Sequence, residues 1–138
     1  MKKIFLVLSI ILIASFVYAE SDARFLSALK TCSPYESNGS MEVQSIGADY
    51  KSQIVGWENN KCVYKKYVSL QGLSLCTVCK FNKYHINQIV KTMETYKTGF
   101  DEYGNEVDIN NVEAIKNTPV VRLWNQYLAD PSICNVEF

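Results

Sequence analysis

Only one histidine, His85, occurs in the 138 residues, and no second C-x-x-C or H-x-x-H stands anywhere to complete a metal set. Four soft or nitrogen ligands in tetrahedral reach are what zinc requires, so a structural zinc site is not expected. Six glycines are scattered singly, so no glycine run could cradle a phosphate. No serine lies in a G-x-S-x-G elbow. Charge of one sign is also lacking: 14 basic side chains face 14 acidic ones. That balance gives no global field to attract nucleic acid or an anionic membrane surface. Beyond the N-terminal stretch there is no long apolar run, so no membrane insertion is expected of the rest. Internal repeats and low-complexity tracts are absent as well. Nothing in the sequence points to a cofactor.

What is present begins with a leader. Met1, Lys2 and Lys3 give a positive start, Ile4 to Val17 is apolar, and Val17-Tyr18-Ala19 ends in a small residue. This is the pattern of a secretory signal peptide over residues 1–19, cut after Ala19. Its apolar core, about fourteen residues, is short of the roughly twenty that span a bilayer. The reading implies an exported protein, periplasmic or extracellular, from a bacterium. Residues 20–138 then form one small disulfide-stabilised domain, with 12 basic and 14 acidic side chains. Export makes disulfides the default for Cys32, Cys62, Cys76, Cys79 and Cys134, and an odd count leaves one thiol over.

Along the chain, Ser21 caps a short helix over 22–30. Glu36 to Ser40, ESNGS, reads as a polar loop. Strands follow over 43–49, 51–57, 61–69 and 73–81, with turns at Glu58-Asn59-Asn60 and Gln71-Gly72. In the third, Cys62, Tyr64 and Lys66 alternate with Val63, Lys65 and Tyr67. The period then changes. Ile86, Ile89, Val90 and Met93 form a helical stripe behind the cap Asn82, and Gly99 ends it. Thr118 and Pro119 open a last helix, whose buried side is Val120, Val121, Leu123, Trp124, Tyr127 and Leu128. The predicted fold is α+β: a short N-terminal helix, a three- to four-stranded antiparallel meander, then an amphipathic helix and a C-terminal helix packed on one face of the sheet. A helix followed by a meander resembles cystatin-like and nuclear-transport-factor-like folds. The cystatin inhibitory turn, Q-x-V-x-G, is not matched by Gln53-Ile54-Val55-Gly56, which is one residue short, so no inhibitory function is carried over.

The segment SLCTVCKF holds the only paired cysteines, Cys76 and Cys79. A thioredoxin-like centre needs such a pair at a helix N-terminus, where N–H groups and the dipole activate the thiol. Here the cap is Asn82, so both cysteines fall in the preceding strand, and residues three apart on a strand face opposite ways. With Gln71-Gly72 as a two-residue turn, Cys62 faces Phe81 and Cys79 is its diagonal neighbour; a one-residue bulge would bring Cys62 opposite Cys79. The expected bonds are therefore Cys62–Cys79 and Cys32–Cys134, with Cys76 the free thiol. Cys32–Cys76 and Cys62–Cys76 compete on spacing.

His85, near a helix start, reads as a surface histidine rather than half of a nucleophile pair. The acidic stretch 101–113 holds five carboxylates and no base, but fails the spacing of a twelve-residue calcium loop. Trp57, Tyr64, Tyr67, Lys65 and Lys66 make a candidate binding surface for a protein or glycan partner. The sequence thus predicts a non-enzymatic interaction module of unidentified ligand, with two alternatives. One is a thiol–disulfide protein using Cys76 and Cys79. The other is a calcium- or metal-binding accessory protein using the loop 101–113.

Overall fold

The computed structural model of the protein describes residues 23–43 and 45–137; the expected signal peptide and the expected cap Ser21 lie outside the described residues. Helix α1, Ala23–Thr31, buries Phe25 and Leu29, one turn apart on a single side. It stops where Cys32 turns left-handed (φ 51°) and Ser33 N–H closes onto the Ala28 carbonyl at 2.9 Å. Pro34 follows, and the chain becomes extended.

The described residues form a five-stranded antiparallel sheet in the order β1 Tyr35–Val43, β2 Ile46–Glu58, β3 Lys61–Leu70, β4 Leu73–Phe81 and β5 Cys134–Glu137. The meander is present, with five strands rather than three or four. Two of its turns have both central residues at positive φ, Asn59-Asn60 and Gln71-Gly72, the twist that two-residue hairpins favour. The stretch ESNGS is strand, not loop. It lies in β1, paired continuously with β2 from Tyr35↔Ile54 to Val43↔Ile46. Strand β2 runs through what alternation had split in two, and its pairing with β3 shifts between Ile54 and Gly56, at a bulge.

Between β3 and β4 the register is that of the two-residue turn, Leu70↔Leu73 through Cys62↔Phe81, with no bulge. Residues alternate across this sheet, so one side carries Tyr64 and the other Tyr67. The Tyr64 face carries Cys62, Tyr64, Cys79 and Phe81, which share one buried cluster with Phe25 and Leu29 of α1. Ile86 and Ile89 of α2, Lys83–Thr95, join it, as do Val120, Trp124 and Tyr127 of α4, Pro119–Leu128. Trp124 sits at its centre, with ring centroids 5.4 Å from Tyr64 and 5.8 Å from Phe81. Such offset and edge-on aromatic contacts add to the apolar area buried.

Between α2 and α4 the chain forms a loop and α3, Val112–Lys116. Ile109 of the loop and Val112 at the start of α3 pack on a second cluster of Met41, Ala48, Val68 and Leu70.

Two disulfides are present, and their connectivity corrects the expected one. Cys32 bonds Cys62, and Cys79 bonds Cys134. The unbulged register leaves Tyr64, not Cys62, opposite Cys79. Strand β5 then lays Cys134 directly against Cys79, while the end of α1 brings Cys32 over β3.

Candidate functional site

Apart from Val63, the side chains that strand alternation assigns to the Tyr67 face are exposed or half-buried. The register stacks them in rows. Asn38, Lys51, Tyr67, Cys76 and Glu137 form one row across five strands. Glu36, Gln53, Lys65, Val78 and Asn135 form the next. Lys51 organises the centre: Nζ lies 3.4 Å from a Glu36 carboxylate oxygen and 5.4 Å from the centre of the Tyr67 ring. Ser40 Oγ donates to Asp49 at 2.7 Å beside it. Together Asn38, Ser40, Asp49, Lys51, Tyr67 and Ser69 line a shallow depression of about 520 Å³.

Of the five residues expected to make a binding surface, only Lys65 and Tyr67 lie together here. Tyr64 and Lys66 are fully buried on the opposite face, which the period of two already requires of even-numbered positions in β3. Trp57 is 44 % exposed but sits at the sheet's end, paired with Cys62, about 20 Å along β2 from Lys51. Lys51, Asn38 and Asp49 were missed. The signal that could have found them is cross-strand register, which needs β1 recognised as a strand.

Cys76 is the free thiol. Burial and the Glu137 carboxylate push its pKa above the ordinary thiol value, offset in part by the Tyr67 hydroxyl and the Lys65 ammonium. A thiol held protonated is a slow nucleophile. Its C-x-x-C neighbour Cys79 is bonded to Cys134 on the other face, so the two are not bonded to each other.

His85 is occupied in the start of α2. Its Nδ1 accepts from the Asn82 N–H at 3.2 Å, and its own N–H donates to Asn82 Oδ1 at 2.9 Å. This is a capping box with histidine in the usual Glu/Gln position. Burial and nearby Lys61 lower the His85 pKa, with Asp130 opposing.

In the acidic loop, Asp101 Oδ1 accepts from the N–H groups of Tyr103 (2.9 Å) and Asn105 (2.8 Å). These bonds hold its carboxyl below the usual carboxylate range, the Asn105 N–H contributing most. Asp108 likewise accepts from Asn110 N–H at 2.9 Å. These carboxylates close turns, and no group of three or more His, Cys, Asp or Glu placed to hold a metal occurs among the described residues. No described helix is long and apolar enough to cross a membrane.

These features define the class: an α+β domain built on a five-stranded antiparallel sheet with two disulfides. Comparison with known proteins finds no matching family model, no similar curated protein and no similar solved structure.

Proposed function

We propose that this is a small exported binding protein without enzymatic activity, and that it contacts a protein partner through the Tyr67 face. On this reading α1, α2 and α4 all lie over the Tyr64 face and leave the other open. The observation that carries it is Tyr67 flanked by Lys51 and Lys65 on a polar, solvent-facing sheet surface. A half-buried tyrosine held by a cation loses little entropy on binding, which suits it to anchor an interface. The flanking lysines and Asp49 supply a charged rim. Two disulfides suit an oxidising compartment and a small domain exported there.

A photo-crosslinking residue placed at position 67 in cells tests the proposal, with position 122 on α4 as the exposed control. The expected result is a discrete protein adduct from position 67, weakened by Lys65→Glu and absent from position 122. The same diffuse labelling from both positions would refute it, as would an adduct that glycosidase treatment removes.

A further inference from the structure

Strand β1 is an edge of the sheet. Among the described residues no strand pairs with its far side, and no turn or loop backbone bonds to it. The hairpin fixes which of its groups face outward. Val43↔Ile46 closes a two-residue turn, and such a turn closes on a pair that exchanges both main-chain hydrogen bonds. Odd-numbered residues of β1 therefore bond β2. The N–H and C=O groups of Glu36, Asn38, Ser40 and Glu42 point away from the sheet, and all four residues are exposed.

An open edge is a template for another strand, and proteins blunt it with lysine, proline, a bulge or a short length. Strand β1 has none of these. It runs for nine residues, YESNGSMEV, without Pro, Lys or Arg, and pairs with β2 without a shift in register. Its only charges are Glu36 and Glu42, which alternation puts on the Tyr67 face with Asn38 and Ser40. Lys51 lies 3.4 Å from Glu36, but Glu42 stands opposite Gly47, so β2 sets no cation across from it.

The two glutamates decide between occupants. A second copy of this chain, paired antiparallel about a two-fold axis at Gly39, would overlap β1 fully. It would also set Glu36 against Glu42 twice, and like charges directly opposite destabilise a strand pair. A strand with lysine or arginine at two positions six apart meets the same carboxylates as opposite charges. In strand addition the main-chain bonds supply affinity, and the side chains, by attraction and repulsion, supply specificity.

We propose that β1 takes up an extended basic segment of another protein as a sixth, antiparallel strand, its cationic side chains opposite Glu36 and Glu42. The pairing uses the sheet edge and not the Tyr67 ring, so it goes beyond the contact proposed above and can fail separately from it.

Protein expressed from the whole sequence is titrated by fluorescence anisotropy into a fluorescein-labelled peptide, Thr-Lys-Val-Thr-Val-Thr-Val-Lys-Thr, whose lysines are six apart. Binding should saturate, and the same peptide with glutamate for both lysines should bind about tenfold or more weakly. N-methylation of the middle two Thr removes N–H groups that face β1 and should weaken binding about tenfold or more. N-methylation of the first and last Val, whose N–H groups face away, should weaken it less than about threefold. On the protein, Asn38→Pro removes an outward N–H and spares the β2 ladder, as an edge strand permits, and should weaken binding about tenfold or more. Glu42→Lys should weaken the lysine peptide and strengthen the glutamate one. If Asn38→Pro does not fold, the methylated peptides carry the test on the parent protein. No binding at about 1 mM peptide, indifference to lysine against glutamate, or indifference to which amides are methylated would overturn the proposal. So would a loss with Tyr67→Ala but not with Asn38→Pro, which would put the peptide on the sheet face. A dimer of the protein alone in sedimentation that Asn38→Pro dissociates would also overturn it, because a second copy would then hold the edge.

Discussion

Replacing both Cys79 and Cys134 by alanine should destabilise the protein more than almost any other pair of changes. The bond closes a loop of 55 residues that includes α2, the acidic loop, α3 and α4. In the chain-entropy account, releasing that loop in the unfolded state costs about 4 kcal/mol of stability. For a domain of this size that lowers Tm by roughly 15 °C. A second effect is local. Strand β5 has four residues, all paired with β4 alone, so the disulfide is its main anchor against fraying. Urea unfolding followed by tyrosine and tryptophan fluorescence measures the first effect. The urea slope should rise, because the unfolded chain without the bond is more expanded. Amide hydrogen exchange measures the second: Asn135 and Glu137 should lose protection while β3 keeps most of its own. A loss below about 1 kcal/mol, or uniform loss of protection in β3 and β5, would refute the reasoning.

Other perturbations separate individual contacts. A Cβ at Gly39 would clash with the Tyr50 hydroxyl oxygen, so Gly39→Ala must displace that ring and should cost about 1–3 kcal/mol. At Gly47 an added Cβ meets nothing within 4 Å, so Gly47→Ala should stay within about 0.5 kcal/mol of the parent in thermal unfolding. Asn82→Ala removes the acceptor for His85 N–H and should lower stability by about 1 kcal/mol in urea. The folded protein lowers the His85 pKa, so the unfolded chain binds the proton more readily. This contribution to stability is therefore complete above the ordinary histidine value of 6.5 and is lost as pH falls through the lower folded value. Urea midpoints across that window should fall with pH in the parent and flatten in His85→Gln. Cys76, protonated and half-buried, should alkylate more slowly at pH 8 than an unstructured cysteine peptide.

Much of the sheet was legible because the period of two is strict. Gln71-Gly72 as a two-residue turn implies Cys62↔Phe81, and that register occurs. The start of α2 was visible in Asn82 and the stripe Ile86–Ile89, which are cap and buried side. Strand β1 was not visible, because an edge strand needs no apolar alternation: its inward positions include Ser37 and Gly39, the latter filled by the Tyr50 ring. Strand β5 is too short to signal itself. The disulfide partners were hidden for a related reason. Alternation assigns Cys62 and Cys79 to one face, but which strand or helix arrives beside each is a matter of tertiary docking. Composition alone puts Lys66 at the surface, since lysine is usually exposed. Its parity with Cys62 and Tyr64 pointed inward, and parity prevailed.

The two-sided sheet places four cysteines on one face and Cys76 on the other, and peptide mapping tests that most directly. The free thiol is first blocked at acidic pH, and the unreduced protein is then cut with trypsin. Peptide 31–51 should be joined to 62–65 and peptide 67–80 to 123–138, with the blocking group on Cys76. Joining of 62–65 to 67–80, or a blocking group on any other cysteine, would contradict the register on which the account is built.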